Sequence, residues 1–218
     1  MKADELKSQA ATWLRARHPG AHIAFELSLA QYGGALVDVA AICDDHIVGV
    51  EIKGEGDSTS RLKLQGNMYS RACRSMFLLA SPELAVRCRQ NKPPGWSIIY
   101  ATREHAPDYR YMKHCRVSGI VYPGQANGKL FWQDGEGLSP ATLAAMVWTT
   151  EYKLFEELLL NGGPFPTSLG KLPSRKQSCI NFVVSEFPLP QIERAVCGVL
   201  RARDWFSKKV ETQAESLL

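Results

Sequence analysis

The chain has 218 residues, 45% of them apolar and 22% charged, proportions of an ordinary globular protein that exclude a disordered or fibrous chain. Length allows one domain, or one domain with an extension, and the formal net charge of +4 is compatible with a polyanionic partner without requiring one. No apolar run approaches the ~20 residues of a membrane span, and the charged start MKADELKSQA lacks the apolar core of a secretion signal, so a cytoplasmic location and no membrane partner are expected.

Leu6, Ala10, Trp13 and Leu14 recur at helical spacing. They predict an amphipathic helix over 2–17, stopped by His18-Pro19-Gly20. HIAFELSL at 22–29 predicts a strand, and Gln31-Tyr32-Gly33-Gly34 a turn. Residues 35–43 and 47–53 are two β-rich runs separated by Asp44-Asp45-His46, a hairpin. A loop at 54–58 leads into a helix over 59–72, with Ser58 or Ser60 as its N-cap. SMFLLA at 75–80 reads as a buried strand. Ser81-Pro82 then opens a helix with serine as cap and proline at its first position, and WSIIY at 96–100 is the next strand. The order α-β-β-β-α-β-α-β over 1–100 predicts an α/β core, a mixed sheet with helices on its faces.

After residue 100 the texture changes. A polar, basic stretch precedes two β-like runs, 117–122 and 129–133, which flank Pro123–Gly128 (PGQANG) and predict a second hairpin within a 101–138 segment. Its aromatic residues Tyr122, Phe131 and Trp132 either stack bases or pack across strands. From Ser139-Pro140 a helical extension runs over 139–218, broken at Gly162-Gly163-Pro164 and Pro188-Leu189-Pro190, with helices at 174–187 and 192–209. The last one carries Arg194, Arg201, Arg203, Lys208 and Lys209. It reads either as a DNA clamp or as an amphipathic helix covering the sheet.

The six cysteines show no Cys-x2-Cys pair and are expected to be free thiols. His105 and His114, nine apart, carry no ligand spacing. Residues 61–92 concentrate Arg61, Lys63, Arg71, Arg74, Arg87, Arg89 and Lys92 against one acid, Glu83, a patch that either meets phosphates or is a solvated helix face.

The informative chemistry lies at Asp38 and at Glu51-Ile52-Lys53. With Asp44-Asp45 as a two-residue loop, Cys43 faces His46 and Asp38 faces Glu51, and directly opposed side chains stand ~4.5–5.5 Å apart. Alternation puts Lys53 on the same face and Ile52 on the other, with Gly49 leaving room. Two carboxylates and an ammonium inside apolar strands are costly as plain structure. A Mg²⁺ ion, which takes one or two carboxylates and bridges to phosphate oxygens, removes that cost. The lysine then holds an attacking water or neutralises charge at phosphorus, a set suited to phosphodiester hydrolysis. A Lys53–Asp38 or Lys53–Glu51 ion pair at a sheet edge is the plain structural alternative. Arg61, Gln65 and Tyr69 form a stripe at helical spacing that overlooks the same place, or simply packs. Glu26, mid-strand, either adds a third carboxylate or faces solvent.

Asp38, the Glu51-Ile52-Lys53 triplet and Gln65-x3-Tyr69, in an α-β-β-β-α-β order, resemble the PD-(D/E)XK nuclease superfamily. The Gln-x3-Tyr feature is similar to its branch of recombination and phage exonucleases, and GVEIKGEGDSTSRLKLQGNMY at 49–69 looks like small phage and bacterial members. The resemblance covers about the first 100 residues. It implies a restriction-endonuclease-like core and a metal-dependent nuclease hydrolysing DNA, in phage biology, repair or defence. Asp38, Glu51, the Ile52 carbonyl and Glu26 would hold Mg²⁺, with Mn²⁺ as a substitute. Lys53 would be the catalytic lysine, and Gln65 and Tyr69 would position that lysine or the scissile phosphate, with Arg61 of the same helix stripe expected to help place the phosphate. Val37 stands where the superfamily's name has proline. The alternative is a catalytically inactive nucleic-acid- or protein-binding module on the same scaffold.

Overall fold

The computed structural model describes residues 2–29, 35–101, 114–117, 120–123, 137–161, 170–203 and 205. Helix α1 (Ala3–Arg17) buries Leu6, Ala10, Ala11, Trp13 and Leu14, the stripe expected from their spacing. Next come β1 (His22–Ser28), β2 (Leu36–Ile42) and β3 (Ile47–Lys53), an antiparallel meander. A helix α2 (Leu62–Tyr69) leads to β4 (Ser75–Ala80), parallel to β3. A helix α3 (Ala85–Asn91) leads to β5 (Ser97–Ala101), parallel to β4. These five strands form a mixed open sheet, extended past β5 by β7 (Ile120–Pro123) and then β6 (His114–Val117).

The sheet is a middle layer. On one face α1 packs on Val39, Ala41, Val48, Val50, Ile52, Phe77 and Leu79, with Trp13 edge-on to Phe77 at 4.9 Å between ring centroids. The other face carries Ala40, Ile42, Ile47, Met76 and Leu78. Over it lie α2, α4 (Pro140–Ala145), α5 (Tyr152–Leu160), α6 (Lys176–Glu186) and α7 (Leu189–Ala202). The expected α/β layering is therefore present, and the C-terminal helices share one core with the sheet. Seven residues of α7 are buried, from Ile192 to Leu200, so it covers the sheet. Two of its flank arginines are engaged within the protein, Arg201 with Asp44 and Arg203 with Glu151. No described helix is long and apolar enough to cross a membrane.

Several local expectations are corrected. Helix α2 starts at Leu62 after an Arg61 N-cap position without a side-chain cap. The Ser58 hydroxyl instead accepts from Ser60 N and bonds the Ser60 hydroxyl, so both candidate caps are consumed one turn early. Ser81 does not cap α3. Leu84 N donates to the Ser81 carbonyl in a tight turn, and the serine hydroxyl has no hydrogen-bond partner. Ser139 does cap α4, accepting from Thr142 N, with Pro140 at the first position. A hairpin pairs 114–117 with 120–123; the expected partner run 129–133 lies outside the described residues. Phe131 and Trp132, like Lys208 and Lys209, lie outside the described residues.

Gly66 shows how closely α2 is held. A Cβ there would stand 2.4 Å from Pro93 Cγ and 2.5 Å from its Cβ. Helix propensity alone favours alanine by about 1 kcal/mol, but forcing a methyl against a rigid ring costs about 1–3 kcal/mol. Gly66→Ala is therefore expected to lower the urea midpoint. A raised midpoint would mean that α2 can slide away from Pro93 freely.

Candidate functional site

The β2–β3 ladder runs Val39↔Val50, Ala40↔Gly49, Ala41↔Val48 and Ile42↔Ile47, the register expected from a two-residue Asp44-Asp45 loop. It stops one pair short of Asp38 and Glu51. At that point alternation breaks in both β1 and β2. Ala24 and Leu27, three residues apart, lie in the same core cluster, as do Val37 and Ala40. The break falls at Glu26, whose backbone is left-handed at φ +53, and at Asp38, its opposite position in the β1–β2 register. A non-glycine residue in that region marks local strain. Released from the ladder, Asp38 uses Oδ2 to accept from Ile52 N at 2.7 Å, so the carboxylate replaces the backbone acceptor that an ideal ladder would provide.

On β3, Glu51 and Lys53 point toward α2 and are buried, with side chains 3% and 9% exposed. Lys53 Nζ donates to Glu51 Oε1 at 2.6 Å. Gln65 Nε2 donates to the same oxygen at 2.7 Å and to Tyr69 Oη at 3.3 Å, and Tyr69 donates to the Leu36 carbonyl at 2.6 Å. The Gln65–Tyr69 stripe therefore ties α2 to both β2 and β3. The second Glu51 oxygen, Oε2, is buried and receives no hydrogen bond, and the same holds for Gln65 Oε1.

Electrostatics follow from this burial. Glu51 is pushed up to about 7, first by loss of water and then by the charge of Asp38, against the pull of Lys53 and Gln65. Asp38 is also raised by burial, countered by the Ile52 N–H, Lys7 and Lys53, and it lies within hydrogen-bond reach of Glu51. Tyr69 is raised by burial and by Glu51, so it stays a neutral phenol donor.

The structure thus brings together Asp38, Glu51, Lys53, Gln65 and Tyr69, with the Ile52 N–H on Asp38. Glu26 is not brought into the pair; its exposed carboxylate meets Lys7 Nζ at 3.0 Å. Arg61 is exposed at the N-cap of α2 and makes no hydrogen bond to the cluster. Nor does Gly49 open space at the site, because Met76 Sδ would be 2.4 Å and Val37 Cγ1 3.0 Å from its Cβ. Lys7 is the residue the sequence reading missed. It is half-buried on α1, and its charge acts on both Glu26 and Asp38. Its signal is faint, a lysine one position past Leu6 on the apolar stripe.

The donor set fits a hard divalent cation. Two adjacent carboxyls, a half-buried Asp38 and a buried Glu51 with one oxygen that no hydrogen bond reaches, are repulsive without a proton or a cation between them. Asp38, Glu51 and the Ile52 carbonyl would hold it. Among the described residues, however, no third acid converges there; the one group of three converging metal-type side chains is His18, Cys43 and His46, at the other end of the same strands. Comparison with protein-family models, with curated proteins and with solved structures returned no match.

Proposed function

We propose that the protein is a metal-dependent nuclease that hydrolyses DNA phosphodiester bonds on a restriction-endonuclease-like core, with Mg²⁺ as its ion and Mn²⁺ as a substitute. The observation that carries this reading is the Glu51 carboxyl, buried, raised to about 7, and left with one oxygen undonated beside Asp38 while Lys53 holds the other. Such a group is costly to keep for structure alone, whereas a strained pair of ionisable groups is the ordinary state of a site built for charge.

A bound divalent cation would supply Lewis-acid charge to a phosphate oxygen. The protein's own groups do the rest. Lys53, 2.6 Å from Glu51, places an ammonium where a water or a developing negative charge at phosphorus can meet it. Gln65 fixes the Glu51 carboxylate, and Tyr69 fixes Gln65 by anchoring on Leu36. Ile52 N–H fixes Asp38. A polyanion is favoured by the exposed arginines and lysine of the neighbouring elements, Arg61, Lys63, Arg71, Arg87 and Arg89. Arg74 and Lys92, by contrast, are used internally, on Glu193 and on the Trp96 carbonyl.

Labelled single- and double-stranded DNA should be cut in Mg²⁺ or Mn²⁺ and left whole in EDTA. That no third acid converges on the pair among the described residues favours a second reading, a DNA-binding module on the same scaffold without turnover. Binding without cleavage under every metal would select that module.

A further inference from the structure

The geometry points to a second metal site, for Zn²⁺, built by His18, Cys43 and His46. It is chemically unlike the Asp38–Glu51 pair and does not depend on the nuclease reading. Cys43 and His46 close the β2–β3 hairpin, Cys43 N donating to the His46 carbonyl at 2.9 Å. They lie five residues along each strand from Asp38 and Glu51, roughly 16 Å away at the rise of a β-strand. His18 arrives from the other side, as the residue that ends α1. Its N–H donates to the Leu14 carbonyl at 2.8 Å, and its carbonyl accepts from Ala21 N at 3.1 Å. All three backbones are therefore fixed before any ion arrives.

The donor atoms converge. Cys43 Sγ is 3.8 Å from His18 Nδ1, and the three donors lie within 4.8 Å of one another. A tetrahedral zinc, with bonds of about 2.3 Å to sulfur and about 2.05 Å to nitrogen, sets sulfur and nitrogen about 3.6 Å apart and two nitrogens about 3.3 Å apart. Closing donor separations of at most 4.8 Å onto that geometry takes side-chain movements on the order of 1 Å.

Two further observations match a metal site better than a thiol–imidazole hydrogen bond alone. Asp45 Oδ1 lies 2.6 Å from His46 Nδ1, the carboxylate–imidazole contact that orients a ligating ring and raises the basicity of its other nitrogen. And all three ligands are half-buried. An ion can therefore enter and water can complete a fourth position, as in zinc sites with three protein ligands. Two imidazoles and a thiolate select zinc and its soft neighbours over Mg²⁺. Cys43 is also the one half-buried thiol among the described free cysteines; the other four are buried.

The ion would staple the end of α1 to the β2–β3 turn. That corner is already a meeting point, since Arg201 of α7 pairs with Asp44 and donates to the Gly20 carbonyl.

The test uses Co²⁺ as a spectroscopic substitute on the full, tag-free chain. One thiolate-bound Co²⁺ per chain is expected, seen as a thiolate-to-cobalt charge-transfer band that Zn²⁺ abolishes on displacement and Mg²⁺ leaves in place. Zn²⁺, but not Mg²⁺ at equal concentration, should raise the melting temperature through this site. Cys43→Ser should remove the band, His18→Ala should weaken binding at least as much as loss of an orienting group does, and Asp45→Asn, which keeps all three ligands, should weaken it about 10–100-fold. Asp38→Asn, at the other centre, should leave the band intact. Metal-free melting temperatures of the variants control for misfolding. No stoichiometric Co²⁺ binding, a thiolate band that survives in Cys43→Ser, or an unchanged Co²⁺ affinity in His18→Ala overturns the assignment.

Discussion

Lys53→Met is expected to reduce Mg²⁺-dependent DNA cleavage at least ~100-fold while leaving the protein folded. The ammonium contacts the buried Glu51 carboxyl directly, and positioned acid–base or electrostatic groups ordinarily contribute about 10²–10⁴ in rate. Methionine keeps the volume of the lysine stem and removes the charge. Breaking a buried ion pair ordinarily costs about 3–5 kcal/mol, because a lone charge is left behind. Here the cost is smaller, since Glu51, already pushed up to about 7, takes a proton instead of remaining charged. Glu51→Gln should abolish cleavage and also weaken Mn²⁺ binding measured by calorimetry, whereas Lys53→Met should retain Mn²⁺ binding once the pH is high enough for the ion to displace the Glu51 proton. Gln65→Ala should act between these, loosening the carboxylate without removing it. Equal cleavage rates in wild type and Lys53→Met would show that the assigned lysine has no part in the chemistry.

Much of this arrangement is legible in the sequence because it depends on period and register. The Asp44-Asp45 loop sets the β2–β3 pairing, and the i, i+4 spacing of Gln65 and Tyr69 sets them on one face of α2 beside Glu51. What escapes is where the regular pattern fails. Nothing in HIAFELSL announces that Glu26 takes a left-handed backbone, yet that break lets Asp38 leave the ladder and accept from Ile52 N. The serines near α2 are good caps by type, but they bond each other first. Propensity ranks candidates and cannot decide which partner wins when two are equally near. The zinc ligands were half visible: the hairpin register puts Cys43 opposite His46, while the third ligand sits 25 residues upstream of the cysteine and only the packing of α1 on the sheet brings it in. Charge distribution misleads for a similar reason. Arg74, Arg201 and Arg203 read as surface basicity, but Glu193, Asp44 and Glu151 take them up.

The carboxyl pair also predicts an unusual dependence of stability on pH. Glu51 has an ordinary value of 4.5 and is held at about 7 in the folded metal-free protein. Between those values the folded chain keeps a proton that the unfolded chain has released, so folding is favoured most on the acid side. The contribution is complete below 4.5, declines as pH rises, and is lost above about 7; with one unit worth ~1.4 kcal/mol it amounts to about 3 kcal/mol. Asp38 shifts in the same direction. Asp45, lowered chiefly by its hydrogen bond to His46, works in the opposite sense, so the measurement is a difference. Glu51→Gln carries no titrating group at this position. Its unfolding free energy should match wild type near about pH 4 and exceed it by about 3 kcal/mol near pH 8. A divalent cation competes with the same proton, so Mn²⁺ affinity should climb about tenfold per pH unit up to about 7 and then level off. Wild-type and Glu51→Gln stability curves that run parallel across this range would mean that the carboxyl is not held in its protonated form, and the electrostatic case for a cation between Asp38 and Glu51 would fall with it.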